Sequence, residues 1–158
     1  MIDLGTRSVA EPMSSRGLRE AILSHHEALR GVLVEAVGRT DPEARPATDL
    51  DALRTGARRL YETVEAHLAF EEQALPPALR DVIGWGPVLQ ARIEQDHRRQ
   101  REALATAVSA LGPHRQSWFE LASEVRAFAV AILRDLERED EALLDAQLDA
   151  IATDSEGG

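Results

Sequence analysis

The chain has no cysteine and no lysine. The first absence excludes disulfides, thiolate metal sites and thiol nucleophiles. The second leaves arginine to supply all 18 basic side chains against 28 acids, for a net charge of -10. So acidic a balance repels the phosphates of nucleic acid and of anionic membranes, and neither is expected as a partner. Aromatic residues are only 4% of the sequence, so leucine, alanine and valine must fill the core. Long apolar runs are missing too: the uncharged stretch Phe128–Leu133 is far short of a bilayer span, and the N-terminal segment lacks the apolar centre of a signal peptide. A soluble, cytoplasmic protein is the expectation.

At 158 residues the chain has the length of one domain. Residues 1–15 read as a flexible arm, 16–152 as the folded unit and 153–158 as a disordered tail. Ser14 or Ser15 can cap a first helix that carries Leu18, Ile22, Leu29, Leu33 and Val37 at helical spacing up to about Gly38. The segment from Arg39 to Ala47, with two prolines and no apolar period, reads as a loop. Thr48 followed by Asp51 can cap a second helix running to Pro76–Pro77, with a short helical piece before the break at Gly84–Trp85–Gly86–Pro87. Pro87 then opens a third helix carrying Leu89, Ile93, Leu104, Val108 and Leu111, which Gly112–Pro113 stops. Ser117 and Glu120 form a capping box for a fourth. Four helices with short connections and no strand-like alternation predict an all-α fold, an antiparallel up-down-up-down four-helix bundle. Trp85 and Trp118 are expected to plug its ends.

Polar residues interrupt two of the apolar stripes. The second helix runs Leu53, Leu60, Val64, then His67 and Glu71, and resumes at Leu75. The fourth runs Leu121, Val125, Phe128, Ile132, then Asp135 and Glu139, and resumes at Leu143. Residues three and four apart share a helix face, so these groups point where their apolar neighbours point, into the core. A buried carboxylate without a counter-charge costs several kcal/mol, which a bound cation would offset.

The two halves echo each other. His26 lies 41 residues before His67, and His97 lies 38 before Asp135. In an antiparallel bundle with pseudo-twofold symmetry this places His26, His67, Glu71, His97, Asp135 and Glu139 at one level of the core. An (i, i+4) histidine–glutamate pair presents both donors on one face, so the glutamate can bridge two metals while the histidine binds one end-on. Imidazole with carboxylate suits iron, manganese or zinc. Carboxylate-bridged pairs of ions are a recurring use of four-helix bundles.

The segments His26-Glu-Ala-Leu-Arg30, His67-Leu-Ala-Phe-Glu71 with the following Glu-Gln-Ala-Leu-Pro, Asp96-His97 and Glu139-Asp-Glu-Ala-Leu-Leu144 resemble the hemerythrin-like, or HHE cation-binding, domain family over roughly residues 16–150. The resemblance implies ligands at His26, His67, Glu71, His97 and Glu139, with Glu71 and Glu139 as bridges. It implies two iron ions that meet dioxygen, peroxide or nitric oxide, and with them an oxidase, a peroxidase, a catalase-like oxidoreductase or a sensing module without turnover. The sequence departs from the family at Asp135, where a histidine is usual, and at Ile93, one turn before His97, where a further histidine would stand. A donor set with more carboxylate and less imidazole favours the higher oxidation state of a metal, and so oxidation chemistry over reversible oxygen carriage.

Alternatives stand at several positions. His25 falls on a plausible stripe of its own with Leu18, Ile22 and Leu29; the resemblance favours His26. Asp140 rivals Glu139. Asp135 either reaches a metal, directly or through water, or pairs with a facing arginine such as Arg101. Glu72 reads as a solvated neighbour, Tyr61 as packing and His114 as exposed. Outward apolar residues are few, and a monomer or weak dimer is expected.

Overall fold

Ser14 starts the first helix by accepting a hydrogen bond from the Gly17 backbone N–H at 3.1 Å, taking up a donor that the first turn leaves free. The computed structural model describes residues 13–45, 48–82, 86–112 and 116–155, without the side chains of 149, 150, 153 and 154. Most of the predicted arm, Trp85, Pro113, His114 and the last three tail residues lie outside the described residues. Among the described residues there are four α-helices and no strand: α1 (Ser15–Arg39), α2 (Leu50–Ala78), α3 (Gly86–Ala110) and α4 (Trp118–Ser155).

Several boundaries differ from the sequence reading, each for a local reason. The α1–α2 connection contains one 3-10 turn, Pro42–Ala44, because Asp41 accepts from the Glu43 N–H and proline suits the turn's first position. Asp49, not Thr48, caps α2, accepting from the Ala52 N–H at 2.8 Å. Thr48 instead presents its carbonyl to Trp118 Nε1 at 2.8 Å, which ties the start of α4 to the start of α2. α2 runs through Pro76–Pro77 to Ala78, since a proline in the final turn leaves only one upstream carbonyl each without its helical donor. Past it, residues 79–82 form a turn rather than the short helix expected. The buried Arg19 of α1 donates to the Ala78 carbonyl at 2.6 Å, a cation at the negative end of the helix. Pro87 is the second residue of α3. The capping box at Ser117 and Glu120 is reciprocal: the Ser117 N–H donates to Glu120, and the Glu120 N–H to Ser117 Oγ. α4 then continues to Ser155, into the segment read as tail.

The helices follow one another round a ring, with α1 packed against both α2 and α4, and α3 joined to α2 and α4 more loosely. The core falls into two apolar clusters. The larger holds Leu29 and Leu33, the α2 side chains Leu53 to Leu68, Leu104 and Leu111, and the α4 side chains Trp118 to Leu136. The smaller holds Ile22, Leu75, Leu79, Leu89, Ile93 and Leu143. Val108, expected on the inner stripe of α3, is exposed, and Ala107 packs against the core in its place. Trp118 is buried at one end, with Arg45 over its ring and that of Phe119. Tyr61 packs edge-on to Phe128 at 4.9 Å, and burial first, Glu124 second, pushes its hydroxyl up to about 12.

Candidate metal centre

Each of the four helices crosses from one apolar cluster to the other, and each places polar side chains at the crossing. His26 lies between Ile22 and Leu29 on α1, His67 and Glu71 between Val64 and Leu75 on α2, His97 between Ile93 and Leu104 on α3, and Glu139 between Leu136 and Leu143 on α4. All five are buried, His26 fully so. The interrupted stripes of α2 and α4 therefore meet in one polar layer between two apolar ones.

Glu71 is the centre of that layer. Its Oε1 faces the Nε2 atoms of both His26 and His67, the latter at 2.7 Å, and its Oε2 faces His97 Nε2 at 2.5 Å. Glu139 approaches from the other side, 3.5 Å from His26 Nε2 and 3.5 Å from His97 Nε2. The donors form two groups, His26–His67–Glu71 and Glu71–His97–Glu139, with the ligand atoms of each within 4.8 Å of one another. Glu71 belongs to both. His67 Nε2, Glu71 Oε2, His97 Nε2 and Glu139 Oε1 are buried and close to one another, yet none of them meets a partner with hydrogen-bond geometry. Buried polar atoms are nearly always satisfied in folded proteins, so four orphans aimed at a common centre fit cation ligands better than a hydrogen-bond network.

The charges point the same way. Burial works to raise the Glu71 carboxyl, but the three imidazoles facing it outweigh burial and hold it well below the usual carboxylate range. Glu139 is raised, by burial first and by the Glu71 charge as well, with His97 opposing. Burial disfavours the charged form of His97, yet Glu139 and Glu71 raise it to about 10. His26 is raised against burial by Glu71, Asp140 and Glu139. Protons on these rings occupy the positions a cation would take. Loading zinc or manganese near pH 7.5 should therefore release protons, with His97 supplying one per chain. Calorimetry in buffers of different ionisation enthalpy reads that number directly. Metal uptake with no proton exchange contradicts a protonated His97 in the metal-free protein.

Five of the six donors predicted from spacing are brought together: His26, His67, Glu71, His97 and Glu139. Asp135 is not. Its carboxylate pairs with Arg138 and accepts from Gln100 Nε2 at 3.2 Å, one turn nearer the larger cluster. A short side chain held outward by an arginine three residues on does not reach the centre. Arg101, the partner first considered for it, pairs instead with Glu72 at 2.7 Å. His25 is exposed and stacks on Phe70, with ring centroids 4.0 Å apart.

Asp140, weighed as a rival to Glu139, has a different place. It accepts from His26 Nδ1 at 2.5 Å, and its other oxygen pairs with Arg30, one turn along α1 from His26. A carboxylate on the far nitrogen of a ligand histidine fixes the tautomer and the ring orientation, leaving Nε2 free to bind. The sequence signal was the (i, i+4) spacing of His26 and Arg30 opposite an acid next to Glu139. Asp140→Asn is expected to weaken metal binding by about 10–100-fold while the helical content is unchanged. An unaltered affinity in a competition titration contradicts the role.

Residues 17–147 match the family model of the hemerythrin HHE cation-binding domain. The chain belongs to the hemerythrin HHE cation-binding domain family. Searches of curated proteins and of solved structures give no significant match. The match overlaps all four helices of the bundle and includes the five converging residues, which could hold a metal ion. Among the described residues, no helix of this HHE domain is long and apolar enough to cross a membrane.

Proposed function

We propose that this HHE domain is a non-haem di-iron protein that reacts with dioxygen or peroxide, with oxidoreductase character, and that it works in the cytoplasm. The observation that carries the reading is the donor count: each group offers three protein ligands, one of them shared. Three protein donors leave coordination positions open on an iron ion, as in the iron oxygenases held by two histidines and a carboxylate. His26, His67 and Glu71 would hold one ion; Glu71, His97 and Glu139 would hold the other. Bound iron would supply Lewis acidity and one-electron redox steps.

The remaining work falls to the chain. Glu71, common to both groups, would be a ligand to each ion. Asp140 and Arg30 orient His26. The leucine and isoleucine side chains above and below the layer exclude water, which limits the loss of reactive species. Two carboxylates among five donors favour the oxidised ions, which supports turnover over reversible carriage.

The test is anaerobic reduction of the iron-loaded protein followed by air or peroxide. Loss of peroxide, or oxidation of an added reductant under air, with a colour change that persists on degassing supports the oxidoreductase. A colour that reverses on removing oxygen or nitric oxide, without turnover, overturns it in favour of a carrier or sensor.

A further inference from the structure

Single apolar side chains on a surface need no explanation, but three on one face of two helical turns do. Leu144, Leu148 and Ile151 of α4, spaced four and three apart, are 49, 66 and 43% exposed, and none joins either core cluster. Asp140, one turn before Leu144, lies on the same side of α4. Its contacts with His26 and Arg30 show that this side is turned towards α1. The antiparallel register of those contacts sets Leu144 roughly opposite Ile22 and Ile151 roughly opposite Ser15, the first residue of α1. The stripe therefore follows the α1–α4 edge and ends beside Met13, itself exposed.

Charge decides what can cover it. The sequence 141–155 carries Glu141, Asp145, Asp149 and Asp154 and no base, at the negative end of the helix dipole. A second copy laid on the stripe would set these acids against themselves, and an anionic lipid surface would be repelled likewise. The chain itself holds a better occupant. Residues 1–12, outside the described residues, contain Ile2, Leu4 and Val9, with Arg7 against Asp3 and Glu11, and they join the bundle at Met13. Pro12 biases Glu11 away from helical backbone, which directs the segment off the axis of α1. The reach suffices. Leu144 stands about 14 Å along the bundle from the level of Met13, and the extended chain from Met13 to Leu4 covers about 30 Å. Covalent attachment beside the stripe also gives the segment a high effective concentration there.

We propose that residues 2–9 fold back along the α1–α4 edge as a strap, with Val9 over Ile151 and Leu4 over Leu144. Ile2 then reaches the Arg30–Asp140 pair, whose side chains are partly exposed further along the same edge. The strap takes the apolar stripe out of water and shields the carboxylate that holds His26 Nδ1. Docking uses no cation, so it stands apart from the iron chemistry proposed above.

The chain has no cysteine, so Asp3→Cys gives a single site for a nitroxide label on the full, iron-free protein. Loss of the amide resonances of Leu144, Leu148 and Arg30 is expected. Val88 of α3, exposed at the same end of the bundle, should keep its signal. Leu144→Gln with Leu148→Gln removes the apolar stripe from exposed positions, and Ile2→Ser with Leu4→Ser removes the apolar side chains of the segment. Each pair should abolish the contrast between Leu144 and Val88, with helicity unchanged. Equal broadening of Leu144 and Val88 in the parent chain, the mark of a tethered but undocked segment, overturns the proposal. So does a contrast that both pairs leave unaltered. Broadening of a nitroxide-free chain by a labelled one in a mixture overturns it in favour of a second copy.

Discussion

Glu71→Gln is expected to strip both cations from the protein. Glu71 is the one side chain common to the two donor groups, with one oxygen towards His26 and His67 and the other towards His97. Glutamine keeps the shape but loses the charge and one oxygen. Metal analysis should fall from two ions per chain to well below one, whereas His97→Ala should leave the His26–His67–Glu71 group filled. The loss should be legible in stability as well. A cation held at 100 times its dissociation constant contributes about 2.7 kcal/mol to the folded state, or roughly 5–10 °C in Tm for a domain of this size. The wild type should therefore lose that increment when a chelator is added, and Glu71→Gln should show no chelator effect. A variant that keeps two ions contradicts the shared bridge.

Glu139→Leu is expected to move metal binding and metal-free stability in opposite directions. The position lies on an apolar stripe between Leu136 and Leu143, and its carboxyl is raised by burial, with the Glu71 charge adding to the effect. A carboxyl whose folded pKa is raised destabilises the fold once pH exceeds its unfolded value, because the unfolded chain ionises first. The penalty is absent in acid and grows towards neutrality. Replacing a buried charged group by a well-packed leucine should then stabilise the metal-free protein by about 1–3 kcal/mol near pH 7, and by less near pH 4. The same variant should hold one ion fewer, since Glu139 is one of three donors in its group. Urea unfolding of the chelated protein at the two pH values reads the first effect and metal analysis the second. A leucine variant less stable than the chelated wild type at both pH values contradicts the account of Glu139 as a residue kept for its metal.

The bundle and most of its centre were legible because the residues concerned break a pattern. His67, Glu71 and Glu139 occupy positions that helical spacing assigns to leucine, and all three are buried beside the leucines that flank them. His26 and His97 followed from matched separations in the two halves. Asp135 satisfied the same rule and does not join them. Periodicity fixes a side chain's direction round a helix, but not its reach, and an aspartate held by Arg138 and Gln100 falls short. Adjacent residues were ambiguous for a related reason. His25 and His26 differ by about 100° round the helix, a difference within the uncertainty of any stripe drawn by eye. Packing against α4 resolves it, since Asp140 takes the second nitrogen of His26. The capping of α2 by Asp49 and not Thr48 is a one-residue difference in the helix start, which two adjacent residues able to cap leave open in the sequence.

Anomalous diffraction at the iron edge, from crystals of the iron-loaded protein, tests the central claim most directly. Two peaks are predicted on either side of the Glu71 carboxylate, each about 2 Å from its ligand atoms: His26 and His67 Nε2 on one side, His97 Nε2 and Glu139 on the other. A single peak off Glu71, or iron bound only to surface acids with the five side chains left to one another, would contradict it.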